Sequence, residues 1–383
     1  MRYPLRIPML VLGGLAAQPL LAATFCATTS AQLEAALATA AGNGQHDAIR
    51  VHIGNYDVSN VDLVYDPSGT EDFDLDISGG WVTFFENPCG VMLRDPWQTT
   101  LDGGDAGRIL RIGVDGGQSD VSVRQLVFLS GHVDSGLGGG LEIHYGADAV
   151  GTVTIERNVF VLNSAAQAGA LSVQGSTLEK ITNNLFLLNE AGSRAAALLS
   201  TTGLFGVSFT NNTVVSNTHT NSNQPTVSFG AGRVFVANNN FWNNDGYDAS
   251  LGSQGDRFAY NNNYNELQLA GGEILENNLS VEPEYESGLF NFTPVRASPL
   301  VDAGREPEGS SPLWDITDVD LNASMRLVGP HVDIGAFENE RIFVDGFDPS
   351  GPFGLAPDWH GGAFSSDAEA SLRHGAGETT AVP

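Results

Sequence analysis

Two histidines and two carboxylates share the longest glycine-rich insertion in the chain, between His132 and His144. Such residues can remove a proton from an acidic sugar, because a histidine can act as the base while carboxylates hold a calcium ion against the sugar. Here His144 would be the base, and Asp134 or Glu142 a calcium ligand. A solvated turn uses the same residue types, and the run Gly138-Gly-Gly140 favours that interpretation.

Two groups of aspartates could also take part in catalysis or metal binding. Asp102 and Asp105 enclose two glycines and would supply paired carboxyls for glycoside hydrolysis. Asp-Gly is a common turn sequence, however, and both residues lie on one turn, so we expect a structural role. Asp315, Asp318 and Asp320 offer oxygen ligands for calcium, but they lack the glycine and glutamate spacing of a calcium loop. An acidic surface cluster is the interpretation we favour.

Four tryptophans could provide stacking platforms for sugar rings, although buried packing explains tryptophan equally well. Trp242 follows Phe241, so strand alternation predicts that its side chain points outward. The chain contains no nucleotide-binding loop, nucleophile elbow, zinc-ligand spacing or dinucleotide fingerprint, and we predict no cofactor. The four tryptophans are Trp81, Trp97, Trp242 and Trp314.

The first residues have the pattern of an export signal. Arg2 and Arg6 precede an almost entirely apolar run over residues 7–21, and the small residues Ala22 and Ala23 offer a cleavage site after residue 23. A buried first strand is the alternative interpretation. The apolar run is short for a membrane span, so we expect no span once the signal is removed.

The charge balance excludes several classes of partner. The chain has 45 acidic and 17 basic residues, and removal of the signal takes away only Arg2 and Arg6. A surface this acidic repels nucleic acid and anionic lipid. It also repels anionic polysaccharides unless cations intervene. Lys180 is the sole lysine, which argues against chemistry that needs a lysine base.

The chain contains two cysteines, Cys26 and Cys89. In an oxidising compartment, an isolated pair is more often a disulfide than a metal site or a nucleophile. We therefore predict a disulfide between them, which would stabilise the fold by roughly 3–4 kcal/mol in the chain-entropy model.

A repeated frame, Asn-x-aromatic-x-x-Asn, indicates the fold. Its four copies start 26, 28 and 27 residues apart. Because one such repeat cannot bury its apolar face alone, successive copies must stack on one another. Stacking places asparagine on asparagine and aromatic on aromatic, about 4.8 Å apart. The frames begin at Asn158, Asn184, Asn212 and Asn239, and their third positions hold Phe160, Phe186, Val214 and Phe241.

The residues before each frame complete the pattern. An apolar residue stands three places before the first asparagine of each frame. A second apolar residue stands two places before that one, except in the second frame, where Glu179 holds the position. Spacings of two put these side chains on one face of a strand. The first asparagine should mark the bend that follows, because asparagine tolerates a left-handed backbone. The apolar residues are Ile155, Ile181, Phe209 and Val236, with Val153, Val207 and Val234.

These patterns predict an all-β chain, a single-stranded right-handed parallel β-helix of the pectate-lyase type with nine or ten coils. One short helix is expected over residues 29–41, with Thr29 as its N-cap and Gln32 in a capping box. This helix would cover the N-terminal end of the coil, where open strand edges would otherwise promote aggregation.

Short motifs at both ends of the repeat carry a family resemblance. The sequence resembles bacterial secreted right-handed parallel β-helix proteins with a choice-of-anchor Q region, which implies an extracellular or surface-associated solenoid. One departure is the pair Asn322 and Ala323, where that family usually has a glycine before its arginine. The C-terminal motifs are Ser298-Pro-Leu-Val-Asp302-Ala-Gly304, Asp320-Leu-Asn-Ala-Ser-Met-Arg326 and Val332-Asp333-Ile-Gly335-Ala-Phe-Glu338. The N-terminal motifs are Phe25-Cys26, Ile49-Arg-Val, Gly54-Asn-Tyr56, Ile77-Ser-Gly-Gly80-Trp81 and Leu101-Asp-Gly103.

The resulting organisation has five parts. They are a signal peptide (1–23), an N-terminal cap (24–48), the β-helix (49–300), a choice-of-anchor-Q-like region (301–340) and a disordered tail (341–383). We expect a secreted protein, located in the periplasm, on the outer surface or outside the cell, that binds polysaccharide or a cell surface. Polysaccharide lyase or glycoside hydrolase activity is the first alternative, and a structural spacer without ligand is the second.

Overall fold

The computed structural model describes residues 22–340, except 68, 70, 71, 195, 202–205, 222, 231, 289, 308–313 and 315. Residues 1–21 of the predicted signal peptide (1–23), the predicted tail (341–383) and the calcium candidate Asp315 lie outside the described residues. No helix of the described part is long and apolar enough to cross a membrane.

The described chain is almost entirely β-structure, with one α-helix, α1 (Ser30–Asn43), and a short 3₁₀ turn at Pro96–Gln98. Its strands, in chain order, are β1 (Ala23–Ala27), β2 (Asp47–His52), β3 (Gly54–Asp57), β4 (Val64–Tyr65), β5 (Leu75–Phe84), β6 (Asn87–Met92), β7 (Thr99–Asp102), β8 (Leu110–Gln118), β9 (Val121–Arg124), β10 (Val127–Leu129), β11 (His132–Leu137), β12 (Leu141–Glu156), β13 (Val159–Val161), β14 (Ser164–Gln167), β15 (Leu171–Thr182), β16 (Leu185–Leu187), β17 (Glu190–Ser193), β18 (Ala197–Thr201), β19 (Gly206–Thr210), β20 (Thr213–Val215), β21 (Thr218–His219), β22 (Pro225–Phe229), β23 (Arg233–Ala237), β24 (Asn240–Trp242), β25 (Tyr247–Ser250), β26 (Arg257–Tyr260), β27 (Leu267–Gln268) and β28 (Ile274–Glu276).

These strands form three sheets of 17, 7 and 4 strands that run along a parallel β-solenoid. Most strands stack in parallel on their equivalents one turn later, and the one antiparallel pair of named strands in the described residues is the hairpin β5–β6. The predicted parallel β-helix is therefore confirmed. Its right-handed winding stays a prediction.

The seven strands of the second sheet, β3, β7, β10, β13, β16, β20 and β24, mark about seven turns, fewer than the nine or ten expected. Part of the difference arises from the β5–β6 hairpin, which lengthens the turn between Tyr56 and Leu101 to 45 residues, and part arises at the C-terminal end, where turns are incomplete. Beyond β24 the second sheet continues only as isolated bridges at Asn263 and Leu279. The count from chain length assumed that every stretch of about 27 residues closes a full turn.

Stacked aromatic rings fill the centre of the solenoid. The ring centroids of Phe128 and Phe160 are 4.9 Å apart and those of Phe160 and Phe186 are 5.0 Å apart, with nearly parallel planes. The third frame carries Val214 in place of an aromatic residue. Phe209 of the first sheet bridges this position, with centroids 6.0 Å from Phe186 and 6.2 Å from Phe241. A ring from a neighbouring face therefore compensates for the smaller side chain.

The first asparagines of the four frames lie in one buried column. Asn158 Nδ2 donates to Asn184 Oδ1 at 3.2 Å, Asn184 Nδ2 to Asn212 Oδ1 at 3.0 Å, and Asn212 Nδ2 to Asn239 Oδ1 at 3.0 Å. The column continues through Asn262 at 2.9 Å. The last asparagines of the frames form a second such column, at Asn163, Asn189, Asn217 and Asn244.

The expectation that the first asparagine adopts the left-handed backbone was wrong. The residue before it does so, as at Arg157 (φ 53°), Asn183 (φ 56°) and Asn211 (φ 55°). The bend therefore precedes the column, and this placement leaves Asn184 free to direct its amide into the interior. There its Oδ1 accepts the backbone N–H of Asn158, one turn earlier, at 2.9 Å.

The N-terminal helix covers the first turn, as predicted. Thr29 caps α1 by accepting the backbone N–H of Gln32 at 3.2 Å, and the helix buries Leu33 and Leu37 among its core-facing residues. The predicted disulfide is also confirmed, because Cys26 of β1 is bonded to Cys89 of β6, 63 residues later. This bond connects the first strand to the hairpin.

The described residues of 298–339, which we call the C-terminal strap, run back along the outside of the solenoid. The strap side chains Leu321, Ala336 and Phe337 pack with the outward-facing residues of the second sheet, such as Val159 and Leu185, in a separate apolar cluster. Much of one lateral face is therefore covered by the chain itself.

Candidate functional site

A groove with a volume of about 340 Å³ lies on the first sheet, where β2, β5, β9 and β12 stack. We call it the acidic groove. Its size falls within the usual range for small-ligand sites. It is lined by Ala22, His46, Asp47, Ala48, Asp74, Leu75, Asp76, Asp120, Val121, Ser122, Arg124, Thr152 and Thr154.

One edge of the acidic groove is a column of side chains that each bond to the next turn. The backbone N–H of Asp74 donates to His46 Nδ1 at 3.0 Å. Asp120 N then donates to Asp74 Oδ1 at 2.9 Å, and Thr152 N to Asp120 Oδ1 at 2.7 Å. These bonds hold His46, Asp74 and Asp120 in fixed positions, because each accepts the otherwise unpaired N–H at a strand start.

An ion pair crosses the floor of the groove between two turns. Arg124 Nη2 lies 2.8 Å from Asp76 Oδ2, with 40% and 30% of the two side chains exposed. Asp76 is in register with Ser122 on the next turn. An exposed pair of this kind stabilises a fold by only about 0–1 kcal/mol. The polar atoms of Asp76 and Arg124 can therefore bind a ligand instead of each other at little cost in the free energy of unfolding.

Asp47 lies at the inner side of the same groove and is 3% exposed. Asn43 Nδ2 donates to its Oδ1 at 2.8 Å, whereas its Oδ2 has no hydrogen-bond partner in the described part of the chain. Burial raises the pKa of Asp47, against the opposing effects of Asn43 and His46. The acidic groove therefore combines exposed carboxylates with one that is largely withdrawn from water.

The residues of the predicted lyase loop lie on two strands, β11 and β12. His132 contacts Ser164 Oγ through Nδ1 at 2.7 Å and Asp134 through Nε2 at 3.0 Å. Glu142 instead faces the side chain of Arg108 at 3.0 Å, and His144 is exposed farther along β12. No group of three or more histidine, cysteine, aspartate or glutamate side chains among the described residues could hold a metal ion.

The aspartates considered for glycoside hydrolysis and calcium binding lie in a turn and in the C-terminal strap. Asp102 Oδ1 accepts the backbone N–H of Gly104 at 2.9 Å, and Asp105 adopts a left-handed backbone with φ 57°, as expected of a turn. Asp318 is exposed, but Asp320 is fully buried in the C-terminal strap, so the two do not form the expected surface cluster.

The tryptophans differ in their surroundings. Trp242 packs, with Trp97, against the apolar cluster under the strap, so its outward orientation leads to packing rather than to a free platform. Trp314 is buried against Phe235, with ring centroids 4.9 Å apart. Trp81 is partly exposed and carries the guanidinium of Arg50 over its ring at 4.1 Å.

The C-terminal motif residues form a buried polar network. Arg326 Nη2 donates to the carbonyl oxygens of Asp333 at 3.0 Å and Gly335 at 2.6 Å. Asp320 Oδ2 accepts the backbone N–H of Glu338 at 2.9 Å. Burial raises the pKa of Asp320 and Asp333 to about 6 each and that of Glu338 to about 9. These residues hold the strap in shape, away from the acidic groove.

Glu179, the exception in the apolar pattern, lies in the core. It occupies the register position between Val153 and Val207 and is completely buried. Thr177 Oγ1 donates to its Oε1 at 3.1 Å, and burial raises its pKa well above the ordinary value.

The groove residues were missed in the sequence because they lie outside the asparagine frames. The pattern that could have revealed them is the recurrence of polar residues at the strand starts of successive turns, at His46, Asp74, Asp120 and Thr152. These positions are separated by 28, 46 and 32 residues. The long middle interval contains the β5–β6 hairpin, which hides the period.

Comparisons with protein-family models, curated proteins and solved structures found no match. The fold assignment therefore rests on the strand register described above. The choice-of-anchor Q resemblance rests on the motifs alone.

Proposed function

We propose that this protein is a secreted or surface-associated β-helix that binds polysaccharide in the acidic groove. The observation that carries the proposal is the array of polar side chains which successive turns present in one groove. Asp76, Ser122 and Thr154 occupy equivalent positions on three stacked strands, and Ala48 holds the same position one turn before Asp76. Such an array repeats at the strand spacing of about 4.8 Å, which suits a ligand made of repeating units.

The chemistry of the lining supports a sugar ligand. Carboxylates and hydroxyls such as those of Asp76, Asp120 and Ser122 accept hydrogen bonds from sugar hydroxyls, and Arg124 donates them. The excess of carboxylates favours neutral polysaccharides, or acidic ones bridged by cations. The Cys26–Cys89 disulfide is compatible with an oxidising, extracytoplasmic location.

The test is retention of the purified protein on a panel of immobilised polysaccharides, with and without calcium. The double variant Asp76→Asn, Arg124→Gln should weaken retention at least about tenfold, because both floor contacts are lost. The matched control is Asp256→Asn, Arg233→Gln, which removes an exposed pair 3.7 Å apart elsewhere on the first sheet. Equal retention of both variants, or no retention of the parent protein, contradicts the proposal.

Hydrolase or lyase activity is the second candidate, favoured by the carboxylates of Asp74, Asp76 and Asp120 on neighbouring turns of one groove. Paired carboxylates are what glycoside hydrolysis requires. New reducing ends or unsaturated products in the same panel would establish catalysis. A protein that neither turns over nor retains any polysaccharide would be a structural spacer.

A further inference from the structure

The C-terminal end of the first sheet exposes a strand edge. β28 pairs with β26 and β27 pairs with β25, and neither has a second partner strand among the described residues. Alternate residues of such a strand direct their backbone N–H and C=O groups away from the sheet. An open edge can therefore accept a further strand.

Apolar side chains accompany this open edge. Ile274 and Leu275 of β28 are 46% and 39% exposed, and Leu269 beside β27 is 46% exposed. The N-terminal end differs, because α1 covers it with buried leucines. One end of the solenoid is thus capped, and the other presents apolar side chains together with unpaired backbone.

The charge of this end indicates which kind of polypeptide segment could bind there. Residues 266–284 contain five glutamates and no lysine or arginine. Arg257 and Arg305 reach the segment from elsewhere, and they pair with Glu273 at 3.3 Å and Glu276 at 3.5 Å. A second copy of this chain, with a net charge of −28, would be repelled, and so would the acidic segment 341–383.

We propose that the open edge of β28 binds an extended segment of another polypeptide that alternates apolar and basic residues. The segment would add as a further strand, with main-chain hydrogen bonds to β28. Its apolar side chains would cover Leu275, which is in register with the buried Ala259, and its basic side chains would lie on the opposite face, beside Glu276. Such strand addition combines backbone affinity with side-chain specificity.

The test measures binding of a labelled Lys-Val-Lys-Val-Lys-Val peptide to the full chain by fluorescence anisotropy, with Glu-Val-Glu-Val-Glu-Val as the control peptide. The basic peptide should bind and the acidic one should not. Leu275→Pro removes an edge N–H and should weaken binding about tenfold or more. Leu275→Val, which keeps both the edge N–H and an apolar side chain, is the matched control and should leave binding unchanged. Far-ultraviolet circular dichroism would verify that both variants fold.

Three outcomes would overturn the proposal. The first is equal binding by the parent protein and Leu275→Pro, which would indicate non-specific attraction. The second is a dimer in sedimentation that Leu275→Pro abolishes, because a second copy would then occupy the edge. The third is cross-linking of residues 341–383 to β28 in the full chain. The groove variant Asp76→Asn, Arg124→Gln should bind the peptide normally, so this test is independent of the polysaccharide proposal.

Discussion

The side chains of Arg326 and Glu338 lie against each other in the C-terminal strap, with Nη1 and Oε1 3.4 Å apart and at most 1% of either side chain exposed. Arg326 also binds two backbone carbonyl oxygens in the same strap. The arginine and the buried carboxylates of the motif that resembles the choice-of-anchor Q region therefore make contacts within the strap.

Arg326→Met should lower the free energy of unfolding by about 3–5 kcal/mol, because it leaves buried acceptors without their donor. Urea unfolding of the variant would measure this loss. Arg296→Met is the control, since Arg296 is exposed and its replacement should cost less than about 0.5 kcal/mol. Equal midpoints for the two variants would show that the strap does not stabilise the fold.

Stability should fall as the pH rises from 5 to 8. The folded-state pKa of Glu179 is raised by burial, so its contribution is fully present below the unfolded-state value and is lost as the pH approaches the folded-state value. Asp320 and Glu338 act in the same direction. Glu179→Gln should reduce this pH dependence, whereas Glu190→Gln, at an exposed position, should not. The check is the urea midpoint at pH 5 and pH 8.

Reduction of the Cys26–Cys89 disulfide should lower the melting temperature. The bond spans 63 residues, and the chain-entropy model assigns such a loop about 4 kcal/mol. A Cys26→Ala, Cys89→Ala variant should melt at the same reduced temperature with or without reductant. Free thiols in the native protein, purified without reductant, would disprove the bond.

Asn184→Ala should destabilise the fold by about 3 kcal/mol or more, since it leaves several buried partners unpaired. Its amide bonds to Asn158 one turn before it and to Asn212 one turn after it. Asn60→Ala, at an exposed position, is the control. Similar melting temperatures for both variants would mean that the asparagine column contributes nothing.

Phe186→Asp should abolish the solenoid, because a buried charge would replace a ring stacked 5.0 Å from Phe160. Far-ultraviolet circular dichroism should show loss of β-structure. Phe85→Asp provides the comparison, since Phe85 is 86% exposed and its replacement should preserve the spectrum. A normal spectrum for Phe186→Asp would contradict the stacking register.

The features that could be predicted from the sequence are those that repeat at a short, regular interval. The columns at Asn184 and Phe186 follow from one residue type returning every 26–28 residues, because stacking brings equal positions together. The capping helix follows from the local signal at Thr29.

The remaining features depend on contacts that no local pattern encodes. The β5–β6 hairpin separates Asp74 from Asp120 in sequence, although they are hydrogen-bonded neighbours in the groove. Trp242 points away from the solenoid, as alternation predicts, but the apolar cluster on which it packs includes strap residues from far along the chain. The buried Asp320 likewise owes its environment to the strap.

The strap bonds to several successive turns along one side of the solenoid. Asn183 donates to Val319 O at 2.9 Å, Ala336 N donates to Thr213 Oγ1 at 2.9 Å, and Asn261 donates to Ala303 O at 2.9 Å. In a simple solenoid each turn touches only its neighbours, so the end turns can peel away one at a time. Here a turn cannot peel away without also detaching the strap from the others. Heat or tension should therefore release these turns together in one step rather than unravel the rod from its end.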